Sequence, residues 1–129
     1  GLERIEGEDI SKFGVVDPIE TGKICTLKGI VEKPSFSEAP SELAVVGRYI
    51  FNGSIFNHIN NDAPGKNGEI QITDAILSDI ANFVGYEFDG KRFDCGSKIG
   101  YLKANIEFGL ADGELGPALA EYLKGKKDL

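Results

Sequence analysis

Cysteine and histidine are scarce in this sequence, and their scarcity argues against several kinds of site. The 129 residues include two cysteines, Cys25 and Cys95, and a single histidine, His58. The cysteines form no CxxC pair, so no zinc site or redox motif is indicated, and we interpret both as reduced, partly buried apolar residues. A single imidazole with no cysteine nearby makes neither a metal site nor a catalytic triad, so we interpret His58 as a helix-surface residue.

Positive charge and long apolar runs are also lacking. The 14 basic residues face 21 acidic ones, which gives a formal net charge of −7 and a pI near 4.7. Without a basic cluster before the short tail of Lys124, Lys126 and Lys127, we expect no binding to nucleic acid. No apolar run approaches the roughly 20 residues that cross a bilayer, and the first residues lack a signal-peptide pattern. We therefore expect a cytoplasmic protein with no membrane association.

The hydrophobic residues that are present predict an α/β chain with strands first and helices after. They make up 41% of the sequence, enough for one core in one domain or in part of a larger one. Runs rich in β-branched residues predict strands at 13–17 and 24–33. An apolar run at 44–51 predicts a third strand, buried on both faces, in which Gly47 marks a bulge or a close approach.

Helical periodicity dominates the later part of the chain. A short helix is predicted over 54–62 with Ser54 as its N-cap, and apolar residues spaced by three and four predict another over 72–83. Two apolar stripes, at 99–110 and 115–123, predict the terminal helices. No βαβ unit precedes the first strand, so several strands would have open edges, and we expect the sequence to be a fragment.

Candidate chemistry lies in polar residues at strand ends, where ligands bind in open α/β sheets. In the stretch IVEKP, Glu32 and Lys33 precede Pro34, which is expected to keep Lys33 extended, so strand alternation would point the two side chains to opposite faces unless the strand bends. A carboxylate beside an ammonium suits a ligand with both sugar hydroxyls and a phosphate. The alternative is an ordinary exposed ion pair.

A second candidate site lies in RFDCGSK. Asp94 precedes Cys95, Gly96 and a predicted helix start, and could hold Mg²⁺ through one oxygen while phosphate and water complete the shell. The alternative, which the residues by themselves favour, is a helix-entry aspartate that accepts backbone N–H groups. Lys98, in the first turn of that helix, could face a phosphate or solvent.

Five segments in order resemble the C-terminal half of the bacterial UTP–glucose-1-phosphate uridylyltransferases, also called UDP-glucose pyrophosphorylases. The resemblance covers nearly the whole chain from about Phe13, and a series of five is more specific than any one motif. The segments are SKFGVVD, GIVEKP, APSELAVVGRYIF, GEIQITDAI and FDCGSKIGYLKA.

This resemblance implies roles for individual residues within a mixed-sheet, Rossmann-like nucleotidyltransferase fold. Glu32 would bind hydroxyls of the glucose ring, and Lys33 would bind the phosphate of glucose 1-phosphate and act in catalysis. Contacts to the sugar are implied for Gly14, Val45 and Gly47. Asp94 matches a metal-binding aspartate of the wider superfamily, so Mg²⁺ is the expected cofactor.

The fourth of these segments, GEIQITDAI, contains residues for which more than one role is open. We interpret Thr73 as an N-cap and Asp74 as a first-turn acid, so that both are structural, with a supporting role in binding left open for them and for Gln71.

The implied reaction converts UTP and glucose 1-phosphate to UDP-glucose and pyrophosphate. The chain would be the sugar-phosphate-binding portion, residues 1–129, of such an enzyme, since no glycine-rich nucleotide-binding loop occurs in it. Alone, it is expected to bind glucose 1-phosphate weakly at best and to be inactive. A homo-oligomer is expected. The alternatives are a self-associating or sugar-phosphate-binding module without catalysis, and a related transferase for another nucleotide or sugar.

Overall fold

A computed structural model describes residues 1–59 and 68–126. The chain divides into two compact units, Gly1–Asp89 and Gly90–Leu129. Strands occupy the first unit and the two longest helices occupy the second. The predicted α/β class, with strands first and C-terminal helices after, is confirmed.

The first unit is built on a five-stranded sheet with the order β1-β4-β2-β3-β5. Its paired strands run antiparallel, and Val15 lies opposite both Val31 and Ala44 in the middle of the sheet. The strands predicted at 13–17 and 24–33 are thus confirmed as a hairpin. The five strands are β1 (Leu2–Arg4), β2 (Gly14–Pro18), β3 (Ile24–Glu32), β4 (Leu43–Val45) and β5 (Val84–Tyr86).

The two outer strands of this sheet meet, which corrects the expectation of open edges. Leu2 of β1 forms an isolated parallel bridge with Glu87, just after β5, and its carbonyl accepts the Phe88 N–H at 3.1 Å. Arg4 forms an ion pair with Glu87 at 3.2 Å. Gly85 lets this happen, because a Cβ there would lie 2.3 Å from Leu2 Cδ1. The sheet therefore curls until its edges touch.

The core of the first unit lies against this curled sheet. One cluster of buried side chains brings together strands β1, β3 and β4 with the helix α1 (Ile72–Ser78), and a smaller one contains Ile10, Val15 and Ala44. Cys25 is fully buried in the larger cluster, whereas Cys95 is exposed, so the prediction of two partly buried cysteines was wrong for both. Both thiols are reduced, as expected.

Three predicted elements are shorter than expected. The helix predicted over 72–83 is α1, which ends at Ser78 and is followed by a separate 3-10 turn. The strand predicted over 44–51 is only β4, because Gly47 adopts a φ of +71°, which leaves the extended region of strands. The helix predicted over 54–62 is a 3-10 helix at Gly53–His58, capped by Asn52 rather than Ser54; residues 60–62 lie outside the described part of the chain. Other 3-10 turns are Gly7–Lys12, Phe36–Glu38 and Ile80–Asn82.

The second unit contains α2 (Lys98–Ala111) and α3 (Gly116–Lys124), as predicted. The two helices pack closely at Gly109, where a Cβ would lie 2.7 Å from Leu119 Cδ2. Much of the predicted apolar stripe on α2 is solvent-exposed, including Ile99 and Leu102. Within the described residues, no helix has the length and apolar character needed to cross a membrane.

Candidate functional site

The candidate site is a cleft of about 240 Å³ in the first unit, where the start of β2 meets the end of β3. Antiparallel pairing places Gly14 directly opposite Glu32. Four residues to which the resemblance assigns contacts with the sugar therefore lie around one cavity: Gly14, Glu32, Val45 and Gly47. The remaining lining residues are Lys12, Phe13, Tyr49, Gln71, Ile72 and Thr73.

The carboxylate of Glu32 lies close to the backbone of Gly14. A Cβ on Gly14 would come within 3.1 Å of Glu32 Oε2 and within 3.3 Å of Thr73 Cγ2, closer than most real Cβ contacts. The missing side chain thus leaves room for both groups. The Glu32 side chain is about four-fifths buried, with 21% of its surface exposed, so one partly desolvated acceptor group faces the cleft.

Lys33 departs from the expected extended conformation. Its φ is +45°, in the left-handed region, and the chain bends there immediately after β3 ends. The side chains of Glu32 and Lys33 are accordingly not separated to opposite faces: Lys33 Nζ lies 3.9 Å from Glu32 Oε1. The Lys33 backbone N–H donates to the Phe13 carbonyl at 3.0 Å, which anchors the bend to the start of β2. The ammonium remains half exposed beside the cleft, and Lys33 is not one of its lining residues.

A second wall of the cleft comes from the end of β4 and the segment that follows it. Val45 ends that strand, Gly47 turns the chain through its positive φ, and Tyr49 then reaches the cleft. The ring of Tyr49 stacks on Phe51 with centroids 5.1 Å apart. Burial, and secondly the negative charge of Glu32, raise the pKa of Tyr49 above its usual value, so its hydroxyl stays protonated as a hydrogen-bond donor.

Two lining residues, Tyr49 and Lys12, were missed by sequence reasoning. Tyr49 was missed because it fell within the buried strand predicted over 44–51. Only the turn at Gly47 brings it to the site. Lys12 pairs with Asp9 at 2.5 Å at the end of a 3-10 helix. Its position just before the FGVV segment was the one signal that could have indicated it.

The third wall is the start of α1, and it corrects the interpretation of Thr73. The N-cap of this helix is Gln71, and no side chain caps it, so Thr73 is already inside the helix. The Gln71 amide instead donates to Glu69 Oε2 at 3.1 Å. Asp74 lies in the first turn, as predicted. Thr73 is 6% exposed, and its Oγ1 has no hydrogen-bond partner among the described residues.

Asp94 belongs to the second unit and is solvent-exposed. Its Oδ1 accepts the Gly96 N–H at 3.0 Å, and its carbonyl accepts the Ser97 hydroxyl at 3.1 Å, just before Ser97 caps α2 through the Gly100 N–H. The aspartate thus does organise the helix entry. Within residues 1–59 and 68–126, no group of three acidic, histidine or cysteine residues could enclose a metal ion.

Comparison with known proteins gives consistent matches. The family model described as nucleotidyl transferase matches residues 4–109. The UTP–glucose-1-phosphate uridylyltransferase of Bacillus subtilis (strain 168) is 38% identical over 128 residues, which are 97% of this chain and 44% of that protein. The chain therefore spans less than half the length of this curated relative.

Solved structures agree with the sequence match. A UDP-glucose pyrophosphorylase complexed with UDP-glucose is 42% identical, with a TM-score of 0.76 over 83% of this chain and 42% of that one. A UTP-bound relative from Acinetobacter baumannii is 36% identical, with a TM-score of 0.81 over 95% of this chain and 43% of that one.

Proposed function

Because the chain belongs to the nucleotidyl transferase family, we propose that it forms the sugar-phosphate-binding part of a UTP–glucose-1-phosphate uridylyltransferase. The names of its relatives support this assignment. The observation that carries it is the cleft itself. Gly14 and Glu32 face each other across the β2–β3 hairpin, and the end of β4 with the segment after it forms a second wall.

Glu32 would bind the sugar in this proposal. An ionised carboxylate can only accept hydrogen bonds, and every hydroxyl group of a hexose can donate one. Gly14 lies beside that carboxylate and also lines the cleft, so its backbone would contact the sugar ring. Val45 and Gly47 would contact the same ring from the segment after β4. The site would thus distinguish sugars by the positions of their hydroxyl groups, through one carboxylate acceptor and close contacts with the backbone.

Lys33 would bind the phosphate. Its ammonium lies 3.9 Å from the Glu32 carboxylate, so one ligand could engage both groups at once. In the reaction, a phosphate oxygen of glucose 1-phosphate attacks the α-phosphorus of UTP; the new P–O bond forms as the bond to pyrophosphate breaks. Lys33 offsets the negative charge of the attacking phosphate, and the hold of Glu32 on the sugar fixes its direction of approach.

Asp94 would provide one ligand to Mg²⁺, since its carboxylate is an oxygen donor of the kind that ion prefers and is exposed to incoming phosphate and water. A single acidic group fits an ion held mainly by substrate phosphates and water, not an all-protein cage. Mg²⁺ when bound would supply further neutralisation of phosphate charge.

UTP and UDP-glucose are the nucleotide partners in this proposal, and a cytoplasmic location and a homo-oligomeric state belong to it as well. The exposed apolar residues of α2, among them Ile99 and Leu102, favour assembly with another protein surface. They equally support the second candidate, a self-associating module without catalysis.

The test measures UDP-glucose formation by a protein of its relatives' length that carries this chain. Lys33→Ala should lower kcat by about 10²-fold or more, because a charge that stabilises the transition state is removed. Lys28→Ala is the matched control: Lys28 is also in the 24–33 segment, but its ammonium pairs with Asp17 at 3.3 Å, whereas that of Lys33 lies 3.9 Å from the Glu32 carboxylate. Full activity of folded Lys33→Ala would refute the assignment, and a complete absence of activity in the unaltered protein would favour the self-associating module.

A further inference from the structure

The single histidine of the sequence, His58, connects two segments that form walls of the cleft. It is the last residue of the 3-10 helix Gly53–His58, which continues the segment after β4. Its Nδ1 lies 3.0 Å from the hydroxyl of Ser78, and its Nε2 lies 3.7 Å from a carboxylate oxygen of Asp79. These partners are the last residue of α1 and its C-cap. Since the start of α1 lines the cleft, the imidazole joins the two walls at the other end of that helix.

The hydrogen bonds of Ser78 determine which ring nitrogen of His58 carries the proton. The Ser78 hydroxyl has one hydrogen, and it donates this hydrogen to the Ala75 carbonyl at 2.8 Å. It therefore accepts from the Nδ1–H of His58. In the neutral ring, Nε2 then has a lone pair that faces the negative charge of Asp79. Protonation of Nε2 replaces this unfavourable arrangement with an ion pair.

The carboxylate of Asp79 is fixed in the position that this ion pair needs. Its Oδ1 accepts a hydrogen bond from the Asn82 side chain at 2.6 Å, while its Oδ2 faces the imidazole. Water screens the pair only in part, since 30% of the His58 side chain and 18% of the Asp79 side chain are exposed. The other acid of α1, Asp74, lies in its first turn, so Asp79 is the charged partner in the described contacts of His58. Histidine changes its charge between pH 5 and pH 8.

Aromatic contacts lead from the same region to the cleft. Tyr49, a lining residue, stacks on Phe51, and Phe51 packs edge-on against Phe83 with ring centroids 5.9 Å apart. Phe83 directly follows the 3-10 turn Ile80–Asn82, which begins after Asp79. The wall that carries Tyr49 is thus attached near the end of α1 in two ways. The aromatic attachment does not depend on pH, whereas the ionic one does.

We propose that His58 is a positioning residue whose protonation favours ligand binding in the cleft. When the imidazolium pairs with Asp79, the segment after β4 is tied to α1, and the two walls are held in their observed arrangement. When the ring is neutral, this attachment is weaker, and a ligand must restrict a wider range of wall positions at a cost in affinity. Ligand binding and proton uptake at His58 then favour each other. This assignment rests on the proposed function and adds to it a dependence on pH.

The experiment measures binding of glucose 1-phosphate at pH 5.5 and at pH 8. The ¹⁵N-labelled 129-residue chain is titrated, and the amide signals of Gly14 and Glu32 report the affinity. His58→Asn keeps an amide donor near the place of Nδ1 and is neutral at both pH values. Asp79→Asn keeps the histidine and removes the negative charge.

The matched control is Lys28→Gln, which removes the ion pair between β3 and Asp17 in the same unit. The ¹⁵N spectrum of each variant verifies its fold. Because the ligand phosphate also titrates in this range, the ratio of the affinities at the two pH values is compared between proteins, so that this contribution cancels.

The ratio should favour pH 5.5 by about two- to fivefold more in the unaltered chain and in Lys28→Gln than in His58→Asn or Asp79→Asn. This is the effect of one partly exposed ion pair. The single histidine gives a second readout, because its ring signal cannot be confused with another. In the unaltered chain, this signal should titrate at higher pH with saturating ligand than without it.

The same ratio in all four proteins would overturn the role of His58 alone, as would a ring titration that bound ligand leaves unchanged. An equal loss of affinity at both pH values in His58→Asn would also overturn it, since that result describes a contact that does not depend on charge. If the unaltered chain shows no response to saturating glucose 1-phosphate at either pH, the proposed binding function and this link fail together.

Discussion

The carboxylate of Glu32 lies over the Cα of Gly14, so close that a Cβ on Gly14 would be 3.1 Å from Oε2. The two residues are also register partners in the β2–β3 hairpin. The acceptor group is therefore placed by the pairing of two strands, and the absence of one side chain leaves room for it. A substitution at Gly14 acts directly on the position of the carboxylate.

Gly14→Ala should weaken sugar-phosphate binding more than it affects folding. The new methyl group would push the Glu32 carboxylate and the Thr73 methyl aside by a few tenths of an ångström, since both contacts are tighter than normal. We expect about three- to tenfold weaker binding of glucose 1-phosphate, equivalent to one hydrogen bond out of place. Calorimetric or NMR titration measures the affinity.

The matched control for Gly14→Ala is Gly29→Ala in the same hairpin. There a Cβ would meet Asp17 Cβ at 3.7 Å, an ordinary van der Waals contact, and Gly29 does not line the cleft. Affinity should be unchanged in this variant. Equal losses of affinity at both positions would show that the hairpin as a whole, and not the contact with Glu32, controls binding.

Lys33→Gly should be at least as stable as Lys33→Ala. This order is the reverse of the usual one inside a strand, where glycine is less stable than alanine. Its φ of +45° is strained for any residue with a Cβ, by roughly 1–2 kcal/mol in the left-handed region, and glycine removes that strain. The greater freedom of unfolded glycine offsets part of the gain. We therefore expect Lys33→Gly to match or exceed Lys33→Ala in unfolding free energy by up to about 1 kcal/mol, measured by urea denaturation.

The same pair of substitutions at Lys28 provides the comparison. Lys28 lies within β3 and does not have a positive φ, so glycine there should be less stable than alanine by about 0.5–1 kcal/mol. The order of the two variants should thus reverse between positions 28 and 33. The same order at both would contradict the left-handed conformation of Lys33.

Gly85→Ala should destabilise the first unit. A Cβ there would lie 2.3 Å from Leu2 Cδ1 and 2.9 Å from Cys25 Sγ, inside the core and at the point where the outer strands meet. Overpacking of this kind costs roughly 1–3 kcal/mol of unfolding free energy. Urea denaturation followed by circular dichroism gives the value. Gly53→Ala, where nothing lies within 4 Å of the new Cβ, should show no such loss; equal stability of the two variants would be evidence against the curled sheet.

Tyr49, although 37% exposed, should ionise at higher pH than a fully exposed tyrosine. Burial, and then the charge of Glu32, raise its pKa above the usual value of 10. In an ultraviolet titration near 295 nm, the late-ionising component should disappear in Tyr49→Phe. Glu32→Gln should move it toward the usual value without reaching it, since burial remains. An unchanged titration in Glu32→Gln would mean that the two groups do not face each other.

The same raised pKa of Tyr49 sets a pH dependence of stability. Between the unfolded and the folded pKa, the folded state holds a proton that the unfolded state has released, so the unfolding free energy falls as pH rises in that window. The contribution of Tyr49 is complete below about pH 10 and is lost above it. Urea denaturation at pH 9 and pH 11 should show a smaller loss for Tyr49→Phe than for the unaltered chain.

Local patterns in the sequence were sufficient to predict several of the strands and helices. Runs of β-branched residues identified β2 and β3. Apolar spacing of three and four identified the terminal helices, because this spacing matches the helical period, although much of the α2 stripe is exposed in this chain. The acceptor residue Glu32 and its neighbour Lys33 stood out because a strand ended there at a proline. The resemblance of five ordered segments supplied the roles that these residues are proposed to have.

Only the tertiary structure decided which residues share the cleft. The register of the hairpin sets Gly14 against Glu32, the left-handed residues Gly47 and Lys33 redirect the chain, and Tyr49 reaches the site as a result. None of these follows from local preference: a positive φ at Lys33 is disfavoured by the residue itself and is held by contacts such as the hydrogen bond to Phe13. Sequence periodicity reports burial along one element, whereas the position of a side chain in a site depends on strand pairing and turns that bring distant segments together.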